Sequence, residues 1–520
     1  MEKKKQVIKE EQPLARRYSK DERKLAYLIL ALISIAYFVF LFLNSRARPL
    51  NVDDFAQIQF VRKGQSLGQV WNNIVYGDLQ PPMAAIVSWI WSHIMPYNLQ
   101  LLKIPSEIFV SAGVFICGIC GMRLRNITTG VLTALLAATS STVFLESSFS
   151  LRPYGLVFLA GSLVLLAYIH RNQKILALSH AKASPEECRR ALTKPIIWYG
   201  VAMTFLAYCH YFGVILCGTL FLTDVILFCR RKVPFRAVLS YLIAGICFLP
   251  WGIFGAIPGL QNNINSFWPE TPGLRSLWKL FQFICGDKAL NTFLILAVLL
   301  LFAAIGIFRR RRRQNTPQAY NYICLGGAVL LMIAVVFVYS AYIKPSGSVF
   351  VYRYFMAAVP IIFLLVASGL DEIISFAAEK LKGSVSRDGI KIAVAGIFMT
   401  VLLVQNFGAL QPQPEAYQDA AEWLRQQQDV KDGSALLLTT YVRPEGFNYV
   451  MTKNWTLPVS TADSIMPYYI GEKQLPAVAK VYVLYDFTAS EVGRDAIFTG
   501  KYNMTQDYPE MRMAVYEPIA

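Results

Sequence analysis

The feature that most constrains this chain is a series of apolar runs about as long as a bilayer is thick. The first, "AYLILALISIAYFVFLFLN" at residues 26–44, has no charged side chain. About 20 apolar residues in helical form span a hydrocarbon core. Further runs lie at about 104–122, 127–145, 154–170, 196–209, 211–229, 238–256, 290–308, 322–343, 355–371 and 392–411. The chain is 55% hydrophobic and only 16% charged, too apolar for a soluble protein of this size. The fold class that follows is mainly α: a polytopic membrane protein of about eleven transmembrane helices.

The segment before the first run, "MEKKKQVIKEEQPLARRYSKDERK", is too long and too mixed in charge for the basic start of a signal peptide. No small-residue cleavage site follows the run. The first run therefore reads as a retained helix. The net charge of +17 does not point to nucleic acid, because no basic stripe is interleaved with aromatics on a soluble domain. The basic residues fall instead in short loops: the N-terminus, Arg123 and Arg125, residues 171–194, 230–232, 309–313 and 380–391. Cytoplasmic loops carry such an excess, so these loops are assigned to the cytoplasm of a plasma-membrane protein.

One run breaks the count. "MAAIVSWIWSHIMPY" (83–97) is short and holds His93 and Pro96, and if it crossed, every later basic loop would change sides. It reads as a half-buried helix of the first external loop (45–103), with Trp89 and Trp91 at the interface. The organisation is then a cytoplasmic basic segment (1–25), a transmembrane domain (26–411) and an extracytoplasmic C-terminal domain (412–520). The last opens on a Pro-rich linker and an amphipathic helix. Strands are expected at "SALLLTT", "KVYVLYDF" and "RMAVYEPI", which make it a small α/β domain. The nine cysteines lie mostly in apolar runs. Cys117 and Cys120 form a CxxC with no second pair, and read as small core residues. Asp224, inside a run, is expected to pair with nearby Arg230.

The polar chemistry gathers on the external side. The first external loop holds Asp53 and Asp54 in "RPLNVDDFAQIQF", the second holds Glu146, Arg152 and Tyr154 in "ESSFSLRPYG", and the third holds His210 in "YCHYFG". A late loop, "KPSGSVFVYRYF", holds Lys344 and Arg353. Taken locally, the acidic pair is a helix cap, and the arginines reach toward lipid headgroups. Taken together, they suit a lipid-linked anionic substrate. Cations would hold a phosphate at the interface, and a carboxylate would take a proton from an acceptor hydroxyl.

These motifs resemble those of bacterial glycosyltransferase family 39, within the GT-C superfamily, which includes protein O-mannosyltransferases and aminoarabinose transferases. The resemblance covers roughly residues 26–370. It rests on Asp53-Asp54, Pro81-Pro82-Met83, Leu151-Arg152-Pro153-Tyr154, Cys209-His210-Tyr211-Phe212 and Arg353-Tyr354, in that order. It implies a GT-C-like fold and transfer of a sugar from a polyprenyl-phosphate donor to a glycan, lipid or protein acceptor. Asp53 matches the family's catalytic carboxylate, and Asp54 is its companion. Arg152, Tyr154, Lys344 and Arg353 are the expected partners of the donor phosphate. Some relatives bind a divalent cation near that phosphate, for which Asp54, Glu146 and His210 are the implied ligands. Two positions depart from the pattern: Gln80 precedes Pro81, and Ser150 lies two residues before Arg152. The competing classes are a transporter or flippase of lipid-linked glycans and a non-catalytic envelope assembly protein. A transporter needs polar residues along a path through the membrane, and this chain has few.

Overall fold

A computed structural model describes residues 18–45, 48, 54, 57, 65–78, 80–95, 99–181, 184–230, 233–263, 269–311, 319–380, 387–411, 416–431, 434–439, 480–485 and 501–519. Asp53 lies outside them. The main helices are α1 (Lys20–Ser45), α2 (Met83–Ile94), α3 (Leu99–Leu124), α4 (Ile127–Thr139), α5 (Tyr154–His180), α6 (Pro185–Cys209) and α7 (Tyr211–Cys229). They continue with α8 (Leu239–Trp251), α9 (Leu274–Ile284), α10 (Ala289–Arg311), α11 (Ala319–Val338), α12 (Val359–Lys380), α13 (Arg387–Asn406) and α14 (Ala416–Leu424).

Every apolar run of the sequence falls on a helix. Among the described residues, eight helical stretches are long and apolar enough to cross a membrane. Met83–Ile94, Ile127–Thr139 and Ala393–Ala409 are shorter apolar helices. The short run at 83–97 thus forms a helix too brief to span a bilayer core. In α6 the run at 196–209 extends a polar first half, which begins at Ser184 with a capping box to Glu187.

The chain divides into two compact units: Met1–Leu43, Trp71–Val87 and Lys103–Gln411 in one, Asn44–Val70, Ser88–Leu102 and Pro412–Ala520 in the other. Within the second unit, Trp89 donates to the Gln65 carbonyl at 2.9 Å and Trp91 to that of Leu101 at 2.8 Å. Its sheet runs β1 (Ala435–Thr439), β2 (Lys480–Leu484), β3 (Tyr502–Tyr508) and β4 (Met513–Pro518), ordered β1-β2-β4-β3. The first pair is parallel and the other two are antiparallel. The three expected strands are present. The unexpected one, β3, is almost wholly exposed, so its sequence carries no apolar alternation.

Within the first unit, buried polar clusters bind the helices at the end where the basic loops lie. Arg171 of α5 is fully buried between the rings of Tyr168 and Tyr199, 5.1 and 4.4 Å from their centroids. Its Nη2 donates to Asp224 Oδ2 of α7 at 2.5 Å, and the Tyr241 hydroxyl of α8 donates to the same oxygen at 2.8 Å. The expected partner of Asp224 was Arg230. That residue instead ends α7, where its N–H donates to the Ile226 carbonyl. Proximity in sequence misled, because a fully buried carboxylate needs a partner that is itself inside the bundle. A second cluster joins Arg125 to Asp371 and Glu372, and Arg309 to Glu372, across the ends of α3, α10 and α12.

Removing one member of a buried pair leaves the other uncompensated, at about 3–5 kcal/mol. Asp224→Asn should therefore lower the thermal unfolding midpoint of the detergent-purified protein. Combining Arg171→Met with Asp224→Leu should recover much of the loss. An unchanged midpoint in the single variant would show that the pair does not hold these helices together.

Candidate phosphate-binding site at one end of the bundle

Three of the sequence motifs meet at the opposite end of the first unit, and local backbone features bring them there. The chain reverses between α6 and α7 at His210, whose backbone is extended (φ −164°, ψ 143°) and which caps α7. Loop two enters α5 through the turn at residues 149–153. There the Ser150 hydroxyl accepts the Arg152 N–H at 3.0 Å. Gly161 lets α5 approach the 3₁₀ turn Tyr352–Ala358: a Cβ on it would stand 2.5 Å from the Ala357 carbonyl oxygen. Gly155 does the same toward Ser147 and Ser106. A larger residue at 161 would push α5 away from the turn that carries Arg353 and Tyr354, and one at 155 would push it away from loop two and α3.

The result is an aromatic and cationic cluster. The Tyr154 ring lies 6.3 Å from that of Tyr354 and 6.1 Å from the His210 imidazole, and His210 lies 4.9 Å from Tyr354. The Arg353 guanidinium sits 5.7 Å from the centre of the Tyr154 ring, a cation–π contact. Phe212 packs against Tyr354 and Phe355 from behind. Tyr154 and His210 are buried, whereas Arg152, Arg353 and Tyr354 are half-buried and keep contact with the outside.

His210 is held in one chemical state. Its Nδ1 accepts the Phe212 N–H at 3.1 Å, so Nε2 carries the proton. Burial, with the Arg152 and Arg353 charges beside it, pushes its pKa down to about 3. It is a neutral imidazole at physiological pH. Its buried Nε2–H meets no hydrogen-bond acceptor among the described residues. Two guanidinium groups and a neutral N–H donor make an environment for an anion.

The same facts bear on the implied divalent cation. An imidazole beside two arginines, with one nitrogen already accepting a backbone N–H, does not fit a cation ligand. Glu146 lies half-buried in the π-helical turn Val143–Ser148 of the first unit, whereas Asp54 is a buried residue of the second. Among the described residues, no group of three His, Cys, Asp or Glu side chains could hold a metal. Lys344 ends the π turn Tyr339–Ile343 and folds its stem toward Gly347. Among the described contacts, none joins it to the ring cluster.

Two residues here escaped the sequence reading. Lys103 and Glu107, one helical turn apart at the start of α3, are 1% and 0% exposed. Ser106, beside Glu107, donates to the Ser150 carbonyl at 2.8 Å and so fastens α3 against loop two. The signal was present, since charges at i and i+4 in an apolar run mark function or pairing. Lys103 was hidden as the last residue of the external loop, whereas Glu107 lay inside the run and was passed over.

No protein-family model matches this chain, and no curated protein matches it. Among solved structures it is similar to ArnT from Cupriavidus metallidurans in the apo state, with a TM-score of 0.56 and 12% identity over 94% of this chain and 97% of that one. It is similar also to the same protein bound to undecaprenyl phosphate, with a TM-score of 0.54 and 13% identity over 94% and 98% of the two chains. At such identity the likeness is one of fold, and it extends over nearly the whole of both proteins. The mainly α, polytopic architecture with a small C-terminal sheet expected from the sequence is the architecture found.

A neutral His210 has a pH signature. The unfolded chain protonates it below about 6.5, whereas the folded chain does so only near 3. Between those values the unfolded state binds more protons. This share of stability is therefore complete above about pH 6.5 and is lost as pH falls through the window. His210→Gln removes the titration, so its unfolding midpoint should drop less on acidification from about pH 7 to 5. Equal drops in both proteins would mean that His210 is charged in the native state.

Proposed function

We propose that this protein is an integral-membrane glycosyltransferase that moves a sugar from a polyprenyl-phosphate donor to an envelope acceptor on the extracytoplasmic face. The observation that carries the reading is the convergence of Arg152, Tyr154, His210 and Arg353, from three separate loops, on one cluster. The fold shared with ArnT, which has been crystallised with undecaprenyl phosphate, supports the choice of lipid.

In this reading the donor tail lies in the bilayer and its phosphate lies against the cluster. Arg152 and Arg353 give charge-assisted hydrogen bonds, and the His210 Nε2–H gives a neutral one. Lys344 and the Tyr154 hydroxyl are further candidate donors to the same phosphate. The acceptor hydroxyl attacks the anomeric carbon as a carboxylate takes its proton. The resemblance gives that carboxylate as Asp53, with Asp54 beside it in sequence. The bond from anomeric carbon to phosphate oxygen breaks, and its electron pair leaves with the phosphate. The cations stabilise the charge that develops there. A single displacement of this kind inverts the anomeric centre. No step runs through a metal ion, although Asp54 and Glu146 supply oxygen ligands of the type such ions take.

The test is sugar transfer from a defined polyprenyl-phosphate sugar by purified protein. Arg353→Ala should raise the donor KM, and Asp53→Asn should lower kcat by about 10²-fold or more, as loss of a general base does. Wild-type kinetics in both variants would remove the proposal.

A further inference from the structure

Helix α9 is the most amphipathic helix of the first unit, yet it is only eleven residues long, LRSLWKLFQFI. That is about 16 Å of helix, half of what a crossing needs. Both of its ends are tied to the site end of the bundle. Thr271, just before it, donates to the Pro345 carbonyl at 3.2 Å. Phe283 in its last turn accepts from Thr142 and stacks near Tyr352, with ring centres 6.0 Å apart. A helix anchored at one bundle end through both of its termini runs along that end and not through it.

Its side chains divide into three stripes at about 100° per residue. Leu277, Leu280 and Ile284 face inward, the last two buried and Leu277 packed against the core. Arg275 and Lys279, at i and i+4, are exposed on the side away from that core. Between the two lies an apolar edge of Leu274, 78% exposed, and Trp278, 37% exposed. Trp278 lies 5.8 Å from Phe293, which is itself 58% exposed at the start of the membrane-crossing helix α10. The apolar edge therefore continues directly into a lipid-facing surface. The helix has no acidic residue of its own; Glu270 and Asp287 lie beyond its two ends.

We propose that α9 lies in the plane of the membrane surface and binds the headgroup of an anionic phospholipid. Trp278 and Leu274 rest on the acyl chains at the headgroup boundary, as aromatic and aliphatic interface anchors do. Arg275 and Lys279, one turn apart on the adjoining stripe, hold the phosphate. A zwitterionic lipid offers the same phosphate but carries its own cation, so the net charge of the stripe selects against it.

The test is native mass spectrometry of the full-length protein released from nanodiscs of equal phosphatidylglycerol and phosphatidylcholine. The wild-type protein should retain phosphatidylglycerol in preference. Arg275→Gln/Lys279→Gln should weaken that retention about 30-fold, as two interfacial cations would, and leave phosphatidylcholine unchanged. Equal retention by the two proteins overturns the proposal. Should the double variant fail to fold, the wild-type protein decides: its phosphatidylglycerol must be lost with rising salt while phosphatidylcholine stays, and salt-independent retention overturns the idea. One-for-one displacement of phosphatidylglycerol by added undecaprenyl phosphate would also overturn it, because the stripe would then belong to a polyprenyl lipid. Sugar transfer is not read in any arm, so this proposal and the transferase reading fail separately.

Discussion

Two guanidinium groups beside a neutral imidazole, at the mouth of an apolar bundle, set the terms for the rest of this molecule. Burial, with the Arg152 and Arg353 charges beside it, keeps His210 uncharged. Two cations beside a neutral N–H donor suit an anion, and the fold must bring these groups to one place and leave the anion a way in. Gly161 lets α5 approach the turn that carries Arg353, and Gly155 lets it approach loop two and α3. The Tyr154 and Tyr354 rings and the Phe212 wall fix the side chains. Half-exposure of the arginines leaves the access.

The other end of the first unit answers a different need. Fully buried Arg171–Asp224, with its tyrosine cage, and the Arg125–Asp371–Glu372–Arg309 cluster are closed sets of partners. Buried pairs of this kind add little stability over apolar packing, but they penalise any arrangement that separates them. They tie together α5, α7 and α8 in one case and α3, α10 and α12 in the other. Helices so constrained at one end hold a definite spacing at the other, where the anion site lies.

Much of this was legible in the sequence, for physical reasons. Runs of bilayer length can only be helices, because lipid offers no hydrogen bonds to the backbone. The motif residues Arg152, Tyr154, His210 and Arg353 could be grouped because loops between spans must emerge at one face or the other. What could not be read was pairing at a distance. Asp224 takes Arg171 from 53 positions away and not its near neighbour Arg230. His210 reads equally as a metal ligand until the Phe212 N–H and the two arginines are seen around it. Strand β3 was invisible because both of its faces are wet. Lys103 was passed over because a charge at the end of an apolar run looks like a loop residue.

The central claim is that the Arg152–His210–Arg353 cluster is a lipid-phosphate site. The most direct measurement is a cryo-electron microscopy structure of the full-length protein with bound undecaprenyl phosphate. Phosphate density is expected with one oxygen within about 3 Å of His210 Nε2 and others in reach of both guanidinium groups. Phosphate density elsewhere in the molecule, with this cluster filled by water alone, would contradict it.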